Sequence, residues 1–399
     1  MDQPLRPLTL LDLLARQWRR PAAVGTVTFS ADDTALAVAD EGGGLALIAG
    51  ADPEPAGRRL RIAAETGRAT IRPRHKPVAP PVVLAGLGER LPPVVPHRRS
   101  CFLVGGGDGR LLSATPRGQL VPLACRLDLP AAALAHHAPT GRSAAAAGGE
   151  IALLAGEDGA RHHRLEHPLP IRALAFAPDG RTLAAAHAEG VSLWPLADGA
   201  PGVRRDLAFA GAGAGAGANE PAGLSWSADG AWLACPLPAA GFQLLRVADG
   251  LGGPVLSYPA PVRSLAWSGA ADALVTGGAF RVVAWSMAHP PLGGHTGGAL
   301  ATGRPGLVLV ETVAAHPRRD LVAAGYANGQ LGVMRLGRPD ELALRTETGE
   351  AVAALAWSGD GRRLAAGTRD GAALLIELPD HLFKAPSVGA EMKESMPCP

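Results

Sequence analysis

The chain has 399 residues and a formal net charge of +2 at pH 7. So small a net charge gives no general attraction to nucleic acid or to anionic membranes. Hydrophobic residues make up 47% of the sequence and aromatic residues only 4%, while 52 glycines and 36 prolines supply many turn formers. This composition favours many short strands and turns over long helices.

The N-terminal sequence and the spacing of the cysteines indicate the cellular compartment. The N-terminal region lacks the apolar run of a secretory signal, and no uninterrupted apolar stretch of ~18 residues predicts a membrane-spanning helix. The four cysteines, Cys101, Cys125, Cys235 and Cys398, are widely separated and form no CxxC pair. We therefore expect free thiols and a soluble cytoplasmic protein.

The first predicted element lies within residues 1–20 and has two interpretations. Residues 7–20 read PLTLLDLLARQWRR, in which Leu10, Leu13 and Leu14 share helical spacing and predict a short amphipathic helix. Part of the same segment can instead form a strand. In both cases we expect Trp18 to pack on the rest of the protein.

The rest of the chain, from residue 21 to about 380, is built from repeats. Each clear unit has a short apolar strand ending in an aromatic ring, a polar turn, and a leucine seven residues after the ring that opens a second strand. A second turn and a third apolar strand follow, so the unit is an antiparallel meander. The five clear ring positions are Phe29, Phe176, Trp226, Trp267 and Trp357.

Three weaker units complete the series. The third has His137 at the ring position, and another, around residue 315, has a turn shortened by one residue. In the second unit the first strand is vague and its ring position falls near residue 85, but residues 101–114 match the second and third strands around Asp108-Gly109. We therefore predict eight units, with seven as the alternative because the second is doubtful.

These units resemble WD40 repeats, which are ~40–45 residues long and form four-stranded blades. The resemblance extends over residues 24–377 and implies an all-β fold, a single closed β-propeller. Closure of such a ring implies that an N-terminal strand completes the last blade, for which residues 7–20 are the candidate. The turn acids Asp108 and Asp370 are then structural.

The sequence departs from the family pattern in two ways. No Trp-Asp dipeptide follows any third strand, and the histidine that the family places nine residues before the ring is matched only by His167 before Phe176. Tyr258 takes that place before Trp267. We therefore expect apolar packing between blades, more than the family's hydrogen-bonded network, to hold the ring together.

Segments outside the repeats include one basic stretch. Residues 211–218 alternate glycine and alanine and predict a flexible loop, and residues 381–399 predict a flexible tail. Residues 58–76 concentrate arginines, among them Arg58, Arg59, Arg72 and Arg74. They form either a solvated outer strand and loop or a patch for an acidic partner. Protein is favoured over nucleic acid as that partner, because no aromatic residue is interleaved.

No sequence pattern predicts chemistry. The histidine pairs 136–137 and 162–163 lie on strands, where adjacent side chains point to opposite faces and cannot easily share an ion. The glycines around Asp108 continue into a strand rather than the helix that a dinucleotide site requires, and no zinc, phosphate-loop or nucleophile-elbow motif occurs. We therefore predict no catalysis, no metal and no cofactor, with an enzymatic or ligand-binding propeller as the alternative.

The resemblance implies a scaffold that binds protein partners through the faces of the propeller. The start of each first strand lies on the face that the family commonly uses for binding, and four residues before the ring this chain has Arg172, Arg263 and Glu311. We expect these charges to surround the channel mouth and to contact a protein or peptide partner. A monomeric propeller without membrane contact is expected.

Overall fold

The computed structural model describes residues 9–63, 69–156, 158–197, 200–210, 220–237, 241–256, 258–293, 295, 297–346 and 349–383. Helix in these residues is limited to α1 (Leu10–Leu14), α2 (Ala56–Arg59) and two short 3-10 turns, Ala138–Thr140 and Asp380–Phe383. Neither α-helix is long enough or apolar enough to traverse a bilayer. The remaining elements are strands, so the predicted all-β class is confirmed.

The strands of the first half form four antiparallel blades. The chain starts with β1 (Ala15–Arg19), which belongs to the last blade, and continues into blade 1. Blade 1 contains β2 (Val24–Phe29), β3 (Ala35–Asp40), β4 (Leu45–Ala49) and β7 (Val82–Leu84), with a separate hairpin, β5 (Leu60–Ile62) and β6 (Ala69–Ile71), inserted before β7. Blade 2 contains β8 (Val94–Pro96), β9 (Phe102–Gly105), β10 (Arg110–Ala114) and β11 (Leu120–Arg126). Blade 3 contains β12 (Ala133–His137), β13 (Arg142–Ala147), β14 (Glu150–Ala155) and β15 (Arg161–Glu166). Blade 4 contains β16 (Ala173–Phe176), β17 (Thr182–His187), β18 (Gly190–Ala197), β19 (Ala200–Pro201) and β20 (Arg205–Ala208).

The second half repeats this arrangement in four further blades. Blade 5 contains β21 (Ser225–Trp226), β22 (Trp232–Pro236), β23 (Phe242–Arg246) and β24 (Gly252–Val255). Blade 6 contains β25 (Leu265–Ser268), β26 (Ala273–Thr276), β27 (Val282–Ser286) and β28 (Ala299–Thr302). Blade 7 contains β29 (Val310–Ala315), β30 (Leu321–Tyr326), β31 (Leu331–Arg335) and β32 (Glu341–Arg345). Blade 8 contains β33 (Val352–Trp357), β34 (Arg363–Thr368), β35 (Ala372–Glu377) and β1. The prediction of eight blades rather than seven is therefore confirmed.

The two ends of the propeller meet in blade 8. β1 pairs antiparallel with β35, with Ala15 opposite Ile376 and Arg19 opposite Ala372. The helix α1 immediately precedes β1 and is capped by Thr9, whose side chain accepts a hydrogen bond from the Asp12 backbone. Around the ring the innermost strands of successive blades lie side by side, and β33 of blade 8 lies next to β2 of blade 1.

The core lies between blades, where the facing surfaces of neighbouring sheets meet. All six residues of β3 are buried, because both faces of the blade are covered. Small residues permit close approach: a Cβ on Gly325 in blade 7 would clash with Val352 in blade 8, and one on Gly367 would clash with Val24 in blade 1. Alanine and glycine therefore set the spacing that a core poor in aromatic residues requires.

The strand register confirms the predicted pairing in the clear units and corrects two weaker ones. Phe29 lies opposite Leu36, and the same pairing recurs in the other four clear units. The second ring position, predicted near residue 85, is wrong, because β7 is the outer strand of blade 1 and blade 2 begins at β8. In blade 3 the residue that pairs with the one seven positions later is His136, opposite Ser143, so the predicted ring residue His137 lies one position beyond the place that the rings hold in the clear units.

Candidate functional site

The channel mouth brings together two of the three charged residues that the repeat frame selects. Arg263 and Glu311, at the starts of the first strands of blades 6 and 7, line a cavity of about 340 Å³ together with first-strand residues of blades 1 and 8. Arg369, from the turn after β34, also lines this cavity and pairs with Glu311 at 3.7 Å. Arg263 is exposed and forms no ion pair within the described part of the chain.

Arg172 lies apart from this cavity. Its guanidinium forms an ion pair of 2.5 Å with Glu220, which comes from the connection leading into blade 5. Both side chains are more than a third exposed, so solvent screens the pair and its contribution to stability is small. Arg263 also lines a second cavity, of about 300 Å³, together with Ser225 and Pro236 of blade 5.

Of the three hydroxyl-bearing residues that line the channel-mouth cavity, Ser264 and Thr312 form hydrogen bonds within the fold. The Ser264 hydroxyl donates to the Val313 carbonyl at 3.2 Å and accepts from the Val313 amide at 3.0 Å, which ties blade 6 to blade 7. The Thr312 hydroxyl donates to Ser264 at 3.4 Å. Among the described residues that line this cavity there is no histidine or cysteine, and the carboxylate of Glu311 is paired with Arg369.

The basic segment is largely engaged in internal contacts. Arg59 is buried and donates to the carbonyls of Leu13, Glu54 and Arg72, so it fastens the insertion of blade 1 to the N-terminal helix. Arg74 forms a two-pronged ion pair with Asp52, at 2.7 and 2.5 Å.

The pKa of Asp52 agrees with its role as the internal partner of Arg74. Burial acts to raise the pKa of Asp52, but hydrogen bonds from Arg74 and from the Glu54 amide outweigh it and hold that pKa below its ordinary value. Arg58 and Arg72 remain exposed, with Arg72 at 4.0 Å from Glu54. Only two of the four arginines named from the sequence are therefore exposed at the surface.

Blade 4 holds a polar cluster that sequence reasoning missed, made of two buried histidines and an exposed carboxylate. Nitrogens of His167 and His187 and a carboxylate oxygen of Asp206 lie within 4.8 Å of one another, a set of atoms that could hold a metal ion. The Ser192 hydroxyl lies among them, at 3.2 Å from His167 and 3.1 Å from His187, and donates to Asp206 at 2.6 Å.

This cluster is complete as a hydrogen-bonded network. The Glu189 amide donates to Nδ1 of His187 at 3.3 Å, which leaves Nε2 of that ring to donate to Ser192. Burial, with the neighbouring His167, lowers the pKa of His187 to about 4, so the ring is neutral at pH 7. The signal in the sequence was His167 in the family position; its partners His187 and Asp206 became visible only through strand pairing.

Comparisons with known proteins agree on the fold. The family model described as the anaphase-promoting complex subunit 4 WD40 domain matches residues 314–381. The structure is similar to the computationally designed Ika8 protein, with a TM-score of 0.58 and 15% identity over 90% of this chain and 98% of that chain. It is also similar to the C-terminal WD40 domain of Sif2, with a TM-score of 0.59 and 13% identity over 92% of this chain and 99% of that chain. No curated protein is significantly similar in sequence.

Proposed function

Because the chain is a WD40-repeat β-propeller of eight blades, we propose that it is a non-catalytic, monomeric, cytoplasmic scaffold that binds a protein or peptide partner at its channel mouth. WD40 domains commonly scaffold protein interactions. The observation that carries the proposal is the meeting of Arg263, Glu311 and Arg369 around one open cavity. Charges of both signs at one mouth select partners by complementary charge and guide their approach.

The enzymatic alternative is less well supported by the same geometry. A hydrolytic or proton-transfer site needs a nucleophile or base within hydrogen-bond reach of the group that activates it. The hydroxyl groups of Ser264 and Thr312 are instead engaged by neighbouring blades, as described above. These contacts support the proposal of binding over that of catalysis at the channel mouth.

The nucleic-acid alternative rests on residues 58–76 and is weakened by their contacts. Arg59 and Arg74 are engaged with backbone carbonyls and with Asp52. Of the described residues in this segment, the exposed cations are Arg58, Arg61, Arg72 and Lys76. So small a set of phosphate contacts gives weak, salt-dependent binding.

Charge reversal at the mouth tests the scaffold proposal. We expect the double variant Arg263→Glu/Arg369→Glu to lose its partner, because it changes the sign of the potential there. The matched control is Arg181→Glu/Arg362→Glu, at exposed turn positions beyond the ends of first strands, on the opposite face. The measurement is quantitative mass spectrometry of proteins purified with each variant from the native cell.

Support requires proteins that the wild type and the control variant recover and that the mouth variant loses. Their interaction with the purified propeller should also weaken as salt is raised, since exposed charges are screened. If the mouth variant recovers the same proteins in the same amounts as the wild type, the channel mouth is not the binding surface.

A further inference from the structure

A third cavity lies between blades 6 and 7, and it contains polar groups for which the fold supplies no partner. Its volume is about 320 Å³, at the lower end of the range for small-molecule sites. The outer strand of blade 7 contributes Glu341, Ala343 and Arg345, and the connection from blade 6 contributes Arg304. It shares no described lining residue with the channel-mouth cavity.

The cationic side of this cavity is incomplete. Nη1 of Arg345 is buried and has no hydrogen-bond partner among the described residues. Burial lowers the pKa of Arg345, with the nearby charges of Asp370 and Arg19 acting in opposite directions. A buried donor without a partner is costly, so it calls for an acceptor from outside the chain.

The anionic side is incomplete as well. Glu341 forms no ion pair within the described part of the chain, although Arg304 is near enough to act on its pKa. Partial burial raises the pKa of the Glu341 carboxyl, against the opposing effect of Arg304. The hydroxyl of Tyr326, a lining residue, forms no hydrogen bond with described residues and, unlike Nη1 of Arg345, is not closed off from solvent. Burial and the charge of Glu341 raise the pKa of Tyr326, which keeps this hydroxyl protonated.

Apolar side chains border the same cavity. Phe280, which is 45% exposed, and Val308 line it, and Leu307 in the same connection is 94% exposed. Ala343 stands between Glu341 and Arg345 on the strand, and its small side chain leaves room between the two charges. The lining thus offers the partly buried guanidinium of Arg345 and the exposed carboxylate of Glu341, on either side of Ala343 and beside an apolar rim.

We propose that this cavity binds a free amino acid with an apolar side chain. Arg345 and Arg304 receive the carboxylate, Glu341 receives the ammonium group, and the ligand side chain packs on Phe280 and Val308. A zwitterion fits where a simple anion does not, because a simple anion leaves Glu341 unpaired next to a second negative charge. A peptide terminus does not fit, because it carries only one of the two charges.

Calorimetric titration of the full chain with L-phenylalanine and L-leucine tests the proposal. N-acetyl-L-phenylalanine lacks the ammonium group and L-phenylalaninamide lacks the carboxylate, so each removes one proposed ion pair. We expect saturable binding of the amino acids and, for each comparator, affinity weaker by about tenfold or more. Absence of saturable binding by both amino acids, or equal affinities of L-phenylalanine and either comparator, overturns the proposal.

Two variants that each remove one charge assign the contacts. Arg345→Gln should abolish the preference for L-phenylalanine over its amide, and Glu341→Gln should abolish the preference over the N-acetyl compound. Arg335→Gln, at an exposed arginine paired with Asp320 outside the cavity, is the matched control and should bind as the wild type does. Thermal unfolding establishes that each variant is folded, and unchanged preferences in folded Arg345→Gln and Glu341→Gln overturn the assignment.

Discussion

At the scale of single residues, buried histidines couple this fold to pH. His97 is 3% exposed, its Nε2 has no hydrogen-bond partner among the described residues, and its ring meets that of His136 edge-on at 5.1 Å. Burial, followed by the charges of His136 and Arg98, lowers the pKa of His97 to about 4. The folded protein therefore excludes a proton that the unfolded chain binds below pH ~6.5.

The folded and unfolded states bind different numbers of protons at His97, and this makes stability depend on pH. Between pH ~6.5 and the folded pKa of about 4 the unfolded state holds the extra proton, so the free energy of unfolding falls as the pH falls. The stability contributed by a neutral His97 is fully present above pH ~6.5 and lost below the folded pKa. The loss between pH 7 and pH 5 is about 2 kcal/mol for this one group.

His97→Phe should remove that share of the pH dependence. Phenylalanine keeps a planar ring and cannot be protonated, but it loses the 3.4 Å contact between His97 Nδ1 and the Ser143 hydroxyl, so we expect unchanged or slightly lower stability at pH 7. The free energy of unfolding from urea titrations should then drop between pH 7 and pH 5 by about 2 kcal/mol less than in the wild type. His163→Phe, at an exposed position, is the control, and an equal drop in His97→Phe and wild type would refute the assignment.

Residue roles were only partly predictable from the sequence. The repeat frame found Arg263 and Glu311 because a fixed offset from the ring defines the strand start. It missed Arg369, which reaches the same cavity from a turn in the next blade. It also missed Arg345 and Tyr326, because a lone charge or ring on a strand does not reveal whether the neighbouring blade supplies its partner.

At the scale of elements, the N-terminal strand joins the two ends of the propeller. β1 pairs with β35, and Arg20, directly after it, forms a buried ion pair of 2.8 Å with Asp40 of blade 1. Asp40 also accepts hydrogen bonds from the amides of Gly42 and Gly44, so its carboxylate is well satisfied. Arg16 of β1 donates to the carbonyls of three successive residues, from the last residue of β4 onwards, which ties blade 8 to blade 1 again.

Removal of residues 1–19 should open this junction. The truncated chain keeps Arg20 but exposes the edge of β35, an unpaired apolar strand that invites pairing with another chain. We expect oligomers in size-exclusion chromatography with light scattering, and a lower midpoint of thermal unfolding. A synthetic peptide of residues 9–19 added in excess should restore the monomer, and a truncated chain as stable and monomeric as the full chain would contradict this role.

The strands were predictable from the sequence in the units where an aromatic ring is followed by a polar turn. The first strand of blade 2 was misplaced, because β8 has only three residues and ends at Pro96 without an aromatic ring, whereas residues 101–114 do form its second and third strands, β9 and β10. The inserted hairpin β5–β6 also separates β7 from its own blade, so a short apolar run that completes blade 1 resembles the start of blade 2. Sequence adjacency is therefore a poor guide wherever an insertion divides a blade.

At the scale of the whole molecule, the ring is not equally strong at every junction. The innermost strand of blade 5, β21, pairs with β22 at only Ser225 and Trp226, whereas β33 of blade 8 pairs along most of its six residues. At both strands a tryptophan indole donates a hydrogen bond to the preceding blade. Trp226 donates to Ala175 of blade 4 at 3.2 Å, and Trp357 donates to Ala314 of blade 7 at 2.9 Å.

Blade 5 should therefore be where the ring opens first. Local opening follows the number of backbone hydrogen bonds and the extent of packing, so amide hydrogen exchange measured by mass spectrometry should be faster in residues 220–237 than in residues 352–368. Trp226→Phe removes the donor to blade 4 and should accelerate exchange around β21 severalfold, while Trp357→Phe, the matched control, should act only around blades 7 and 8. Uniform exchange across the innermost strands, or a Trp226→Phe effect spread over all eight blades, would mean that the closed ring opens as one cooperative unit.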